Sequence, residues 1–272
     1  MSKKVAIVTG ASSGIGRETA IELSRKGFTV YAAARRTEKM QDLQRMGIHP
    51  VPLDVTKDES MVSCVSDILA KEGRVDVLIN NAGYGSYGAL EDVSMEEARH
   101  QFDVNVFGLG RMTQLVLPNM RKNKFGKIVN ISSVGGRVWT PFGGWYHATK
   151  FAVEGYSASL RIEVEQFGID VIVVEPGGVV TDWGIIAAEN LKKASAKGVY
   201  AKNAAKTADI MHKNYTGTRL TKPDVIARTI GKAVTVRKPK TRYLIGSFAP
   251  MIVFLNRFLG DRRYDRLIKR MA

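Results

Sequence analysis

The sequence predicts an α/β fold, a doubly wound parallel sheet flanked by helices on both faces. Three observations carry the prediction. Short Val- and Ile-rich runs recur at residues 5–9, 29–33, 49–53, 75–79, 127–131 and 170–174, and each gap between them is long enough for one helix. The runs are continuously apolar rather than alternating, which is how strands covered on both faces read. Parallel neighbours cannot be joined by tight turns, so the gaps must hold crossover helices, and β-α-β units result.

Taken in order, the first run ends in Thr9-Gly10-Ala11-Ser12-Ser13-Gly14-Ile15-Gly16-Arg17, and residues 18–25 follow as an amphipathic helix. Gly10 can take a tight turn, while Gly14 and Gly16 let backbone approach a pyrophosphate and the helix. The free N–H groups at the helix start favour phosphate. The spacing is G-x-x-x-G-x-G rather than G-x-G-x-x-G. Further along, the segment 183–220 is rich in Lys and Ala and reads as a helical excursion over the sheet, of the kind that often covers active sites. A helix beginning near Pro223 follows, with Pro in its favoured first turn, and then a last strand at 242–245.

The chain has 272 residues and a mass of 29.9 kDa, with 44% apolar and 25% charged residues. That is the composition of an ordinary globular protein, and a single domain spanning 1–272 is expected. Cys64 is the one cysteine, so no internal disulfide can form, and a reducing, cytoplasmic setting is expected. His49, His100, His147 and His212 are scattered without ligand spacing, which leaves no metal site. The apolar run at 5–8 is too short for a signal-peptide core, and 248–259 is broken by Pro250, Asn256 and Arg257, so no membrane span is expected.

The net charge of +15 is unevenly placed. Residues 1–190 carry 21 basic and 22 acidic side chains, residues 191–222 hold eight Lys/Arg against Asp209 alone, and 232–272 hold eleven against Asp261 and Asp265. Any acidic partner should therefore meet the last third. That third has no nucleic-acid recognition motif, so no nucleic-acid partner is expected.

Downstream of the glycine turn come Asp54 and Val55 after the third strand, Asn80-Asn81-Ala82-Gly83 at the end of the fourth, and Asn105. Ser132-Ser133, Tyr146-His147-Ala148-Thr149-Lys150 and Pro176-Gly177-Gly178-Val179-Val180-Thr181 follow. With these motifs in this order from Lys4 to about Asp182, the sequence resembles the short-chain dehydrogenase/reductase family. Tyr146, Lys150 and Ser133 match the family's Tyr-x-x-x-Lys with a Ser thirteen residues earlier. The stretches Asn81-Ala82-Gly83-Tyr84-Gly85, Asn105-Val106-Phe107-Gly108 and Glu175-Pro176-Gly177 look most like the branch around 17-beta-hydroxysteroid and retinol dehydrogenases. The resemblance implies a Rossmann-like sheet, a nicotinamide cofactor and a homodimer or homotetramer.

The chemistry follows from residue types. At i and i+4, Tyr146 and Lys150 share a helix face. A phenol with pKa about 10 must drop by roughly three units, about 4 kcal/mol, to work as acid/base near neutrality. An ammonium at about 4.5 Å, with an effective dielectric of about 20, supplies roughly 3.7 kcal/mol. In ketone reduction Tyr146 is expected to give its proton to the carbonyl oxygen, with Ser133 as second donor to that oxygen. Lys150 is also expected to hold the cofactor ribose. The resemblance gives Asn105 a water in a relay to Lys150, and Val179 and Thr181 contacts to the carboxamide. His147 lies about 100° around the helix from Tyr146, and a structural role is expected for it.

Cofactor choice rests on charge. An NAD-selective site places an acid at the end of the second strand, but Ala34 stands there and is followed by Arg35 and Arg36. Arg17 sits beside the glycine turn, so Arg17 and Arg35 are expected to flank a 2′-phosphate, and NADPH should be preferred over NADH. Tyr84, Tyr87, Trp139, Phe142, Trp145, Trp183, Ile185 and Ile186 are candidates to line an apolar pocket or to belong to the core. The resemblance implies a ketone, aldehyde or alcohol on a lipophilic body of steroid, retinoid, fatty-acyl or quinone-like type. A competing reading, a non-catalytic NADP(H)-binding interaction protein, is opposed by the intact Ser133, Tyr146 and Lys150. The segment 248–272 mixes apolar residues with Arg257, Arg262, Arg263, Arg266, Lys269 and Arg270. It reads either as a contact for a membrane surface or another subunit, or as a terminal helix folded on its own core.

Overall fold

The computed structural model describes residues 3–216 and 220–271. Seven strands form one sheet: β1 (Val5–Thr9), β2 (Thr29–Ala34), β3 (His49–Pro52), β4 (Val77–Asn80), β5 (Gly126–Ile131), β6 (Ile169–Pro176) and β7 (Arg242–Ile245). Their order is β3-β2-β1-β4-β5-β6-β7, and every neighbouring pair is parallel. The chain winds outward from β1 to β3 and then returns to β4, so the winding reverses between β1 and β4. The carboxyl edge beside that reversal is where open α/β sheets hold ligands.

The connections hold α1 (Gly14–Arg25), α2 (Gln41–Gln44), α3 (Asp58–Glu72), α4 (Met95–Phe102), α5 (Gly108–Lys122) and α6 (Gly144–Val164). After β6 come α7 (Trp183–Ala194), α8 (Ala201–Thr216), α9 (Pro223–Thr235), α10 (Ala249–Leu259) and α11 (Asp261–Met271). Within each strand, alternate residues feed opposite faces. Ala6 and Val8 join Val30 and Ala32 against Ala20 and Leu23 of α1 and Ile226 and Ile230 of α9. Val5 and Ile7 join Tyr31 and Ala33 against Met61, Val65 and Ile68 of α3 and Met112 and Val116 of α5. Both alternations are apolar, which explains the continuous runs.

Strand bounds shift by a few residues, and two strands carry residues that break an apolar run. β4 begins at Val77 because Asp76 is used otherwise: its Oδ2 accepts from Val5 N–H at 2.8 Å and from Arg74 Nε at 2.8 Å. β3 contains Pro50 and Pro52, which a strand tolerates only at a sheet edge, and β3 is an edge. Cys64 is buried, and burial pushes its thiol up to about 12, so it is an inert core residue. Among the described residues no cluster of three His, Cys, Asp or Glu could hold a metal, and no helix is long and apolar enough to cross a membrane.

The segment 183–216 forms α7 and α8, which build an apolar cluster with Tyr87 and Tyr146. The C-terminal segment is two helices rather than one, broken at Gly260 with φ +67°. Tyr264 and Ile268 of α11 pack on Val138, Tyr264 Oη donates to Trp139 O at 3.2 Å, and Trp139 Nε1 donates to Asp265 at 3.0 Å.

Candidate active site

The glycine turn is braced by the end of β4. Thr9 Oγ1 accepts from the N–H groups of Asn81 and Ala82, each at 3.0 Å, while Asn81 Nδ2 donates to Thr9 O at 2.9 Å and to Gly10 O at 3.2 Å. Gly10 and Gly14 have φ of +67° and +55°, a region that disfavours side chains. A Cβ at Gly16 would lie 2.4 Å from Asn81 Nδ2, so close packing requires glycine there. Ser13 caps α1 without a side-chain bond to the helix, and the first turn carries no acid. The turn therefore presents N–H groups without a competing carboxylate, a fit to a pyrophosphate. Thr181 lies over this turn, since a Cβ on Gly14 would meet its Cγ2 at 3.1 Å.

Near β2, the arginines arrange themselves differently from the expectation. Arg17 is forked onto Asp42, with Nη1 to Oδ1 at 3.1 Å and Nη2 on Oδ2, and Arg17 Nη1 also reaches Lys39 O at 3.5 Å. The Arg17 bond holds the Asp42 carboxyl below the usual carboxylate range. Asp42 is 25 residues away in sequence, and the sequence reading gave Arg17 no such partner. Arg36 is the guanidinium that reaches the turn, with Nη2 3.4 Å from Ser12 Oγ. Arg35 acts on Asp54 and Tyr84 through its charge. Burial opposes the Asp54 carboxylate, but the N–H and hydroxyl of Thr56 at 3.0 and 2.7 Å, with Arg35 and Lys57, hold it low. The next residue, Val55, fixes the start of α5: a Cβ on Gly108 would lie 2.5 Å from Val55 O.

Ser133 follows β5, and its Oγ accepts from Gly135 N–H at 3.0 Å, capping the short turn Val134–Gly136. Tyr146 and Lys150 lie on one face of α6, and both are 7% exposed. Burial pushes the Tyr146 phenol above its ordinary range, and the Ser133 hydroxyl works against that. Burial brings Lys150 down to about 8, with Glu154 opposing. Lys150 Nζ donates to Ile131 O at 2.8 Å and stands 5.9 Å from the Tyr146 ring centroid. The ammonium is thus anchored to the end of β5, on the side of the Tyr146 ring. The phenol is held protonated.

Asn105 lies in a π-turn, Asp103–Phe107, between α4 and α5; such insertions often mark functional sites. Its side chain acts as a brace: Oδ1 accepts from Tyr84 N–H at 3.0 Å, and Nδ2 donates to Tyr84 O at 2.9 Å and Thr149 Oγ1 at 3.1 Å. It ties the loop after β4 to the helix turn between Tyr146 and Lys150. Gly83 is needed beside it, since a Cβ there would sit 3.0 Å from Asn105 Oδ1. On β6, Gly177 N–H donates to Ile245 O at 2.7 Å, placing Pro176-Gly177 against the β7–α10 connection, while Val179 is buried in the core.

The aromatic candidates divide. Tyr87 and Trp183 stand 5.8 and 5.0 Å from the Tyr146 ring, and Phe142 packs on the same cluster. Trp139 instead stacks on Tyr264, Trp145 on Phe102, and Tyr84 donates to Glu97 at 2.9 Å. Tyr215 of α8, absent from the sequence expectations, stands 6.0 Å from Trp183, and burial pushes it up to about 12. A charge cluster with two buried carboxylates, Glu154 and Glu175, was also illegible: the half-exposed Arg242 pairs with Glu154 and Glu175 at 3.0 and 3.3 Å, and Arg137 with Glu175 at 3.1 Å.

A family model described as short chain dehydrogenase matches residues 4–192. The chain is 37% identical over 267 residues to a probable short-chain type dehydrogenase/reductase VdlC of Helicobacter pylori, covering 97% of this chain and 96% of that one. It is 38% identical over 253 residues to a 3-ketodihydrosphingosine reductase of Bacteroides thetaiotaomicron, covering 93% and 91%. A crystal structure of a short-chain dehydrogenase from Streptomyces avermitilis superposes with TM-score 0.81 at 36% identity, covering 93% and 92%. A singly substituted form of actinorhodin polyketide ketoreductase, solved with NADPH, superposes with TM-score 0.74 at 29% identity, covering 88% and 94%.

Proposed function

Because this chain belongs to the short-chain dehydrogenase family and is an oxidoreductase, we propose that it interconverts a ketone or aldehyde and an alcohol on a lipophilic substrate, using NADP(H). The observation that carries the reading is the buried Tyr146 phenol, influenced by the Ser133 hydroxyl and walled by Tyr87 and Trp183. A protonated phenol in an apolar, water-poor nest suits delivery of a proton to a carbonyl oxygen. Ser133 gives that oxygen a second donor and so opposes charge build-up on it. Lys150, held by Ile131 O, keeps a cation behind the phenol as its proton leaves. The related 3-ketodihydrosphingosine reductase, whose name states a ketone reduced, agrees with this substrate class.

When bound, the nicotinamide cofactor supplies or accepts the hydride. Gly10 through Arg17 would hold its pyrophosphate, Asp54 with Val55 and Asn81 through Gly83 would flank the remainder, and Pro176, Gly177, Val179 and Thr181 would bound its nicotinamide end. Arg35 and Arg36 would meet a 2′-phosphate, with Arg17 joining them only by leaving Asp42. The NADPH-bound polyketide ketoreductase supports this cofactor. A non-catalytic binding role fits less well, because it gives no reason to bury a lysine and a tyrosine together. An NADPH-oxidation screen over ketones and aldehydes of increasing apolar size tests the reading: turnover should rise with apolar size, and failure across the panel overturns it.

The same reading gives α10 an anionic membrane surface to lie on. Phe248, Met251, Phe254 and Phe258 are exposed and spaced by three or four residues, one stripe along the helix. Arg257 and the exposed Arg262, Arg263, Arg266, Lys269 and Arg270 surround the stripe in sequence with cations. Two copies meeting on this stripe would bring like charges together, whereas anionic headgroups complement them. The stripe begins beside the carboxyl edge of the sheet, where Gly177 packs on Ala249, so lipophilic substrates would arrive near the site. Self-association would have other exposed apolar residues to use, Phe107, Phe151 and Ile162.

A further inference from the structure

The imidazole of His147 sits between two backbone groups of the segment that follows Ser133. Its Nδ1 is 3.0 Å from Gly135 O, and its Nε2 is 3.0 Å from Thr140 N. A carbonyl can only accept and a backbone N–H can only donate. The ring therefore carries its hydrogen on Nδ1 and offers a bare Nε2, where the Thr140 hydroxyl also converges at 3.0 Å. Two glycines make room for the ring: a Cβ on Gly135 would lie 2.9 Å from Nδ1, and one on Gly143 would lie 2.7 Å from Nε2.

Gly135 links this ring to the candidate chemistry, because its N–H donates to Ser133 Oγ while its carbonyl accepts from His147. Tyr146 precedes His147 on the rigid helix α6. On the far side, the Thr140 bond pins a loop that must pass through Phe142 at φ +64°, an unfavourable conformation for a bulky residue. We propose that His147 is a positioning residue, an Nδ1-protonated clamp that fixes the Ser133 turn and the 140–143 loop against α6 and so sets Ser133 relative to Tyr146. The proposal rests on the reading that Ser133 and Tyr146 act on the substrate.

The clamp has a built-in acid limit. The titratable groups facing the ring are the phenols of Tyr87 and Tyr146, both held protonated by burial, and neither stabilises an imidazolium. Burial lowers the imidazole below its ordinary range, with the Gly135 carbonyl opposing. A proton arriving on Nε2 as the pH falls would abolish the acceptor for Thr140 N–H and release the loop.

Two measurements on the full chain test this. The first is 15N NMR of the histidine rings, with His147 identified by loss of its signals in His147→Gln. The Nδ1–H tautomer is expected from pH 6 to pH 8, and an Nε2–H tautomer or a charged ring in that range overturns the clamp whatever the enzyme turns over. The second compares His147→Phe, His147→Asn and His147→Gln by NADPH binding and by turnover. With binding unchanged, His147→Phe should lose roughly 10²-fold in kcat, as expected for a misplaced catalytic group. His147→Asn can keep the donor to Gly135 and His147→Gln the acceptor for Thr140, so each should recover about tenfold of that loss. Both should also lose the wild-type acid limb. Wild-type kcat in His147→Phe, or an acid limb unchanged in the other two, overturns the proposal. Tyr146→Phe, run alongside, separates the two failures: if it stays active while the NMR shows the Nδ1–H tautomer, the acid/base reading is what has failed.

Discussion

Replacing Lys150 by Met removes a buried cation while keeping a flexible side chain of similar length, and the structure sets the size of the effect. The ammonium lies 5.9 Å from the Tyr146 ring centroid. With an effective dielectric of about 20, and the ring centroid taken as the centre of the developing phenolate charge, the ammonium favours it by about 2.8 kcal/mol, or about two pKa units. Only part of that charge develops in a transition state, so kcat for carbonyl reduction at neutral pH should fall between about 10- and 100-fold. The pH profile should change with it. Burial disfavours the ammonium and brings Lys150 down to about 8, so wild-type turnover should decline as the pH rises through that value, whereas Lys150→Met should show no such limb. The assay is steady-state NADPH oxidation at saturating cofactor from pH 6 to pH 9.5. A kcat within threefold of wild type, or a variant that keeps the limb near pH 8, would refute the role given to the lysine.

Loss of Arg36, which reaches Ser12, should weaken NADPH by about 10-fold or more, with NADH affinity nearly unchanged, since a charge-assisted bond is worth about 1.5–3 kcal/mol; fluorescence titration checks this, and equal losses for both cofactors contradict it. Asp42→Asn should free the Arg17 guanidinium and raise NADPH affinity, whereas a decrease would mean that the Arg17–Asp42 fork holds the turn in shape. Full-length protein should sediment with anionic vesicles at low salt and be released at high salt, and Phe254→Ser/Phe258→Ser should weaken that binding; a full-length chain that ignores anionic vesicles contradicts the membrane surface.

The sheet was legible because its central strands are rich in Val, Ile or Ala, and burial on both faces demands such runs, whereas the edge strands β3 and β7 are less apolar and only partly buried. The glycine turn, Ser133, Tyr146 and Lys150 were legible from order and spacing. Relations between distant residues were not. Nothing near Arg17 announces Asp42, and the cluster of Arg137, Glu154, Glu175 and Arg242 gathers charges spread over a hundred positions onto one side of β6 and β7. Asn105 was found as a residue but not as a brace for Tyr84, because a π-turn leaves no local sequence mark. His147 was separated from the chemistry by its helix angle, yet its two backbone partners come from a loop whose path only the fold reveals.

Tyr146→Phe tests the account at its centre, since it deletes one hydroxyl and keeps the ring against Tyr87 and Trp183. The measurement is alcohol formed per NADPH consumed on the best ketone from the screen, with cofactor binding followed in parallel. Turnover should fall on the order of 10²-fold or more while NADPH still binds. Near-wild-type turnover in the variant would contradict the assignment of the proton to this phenol.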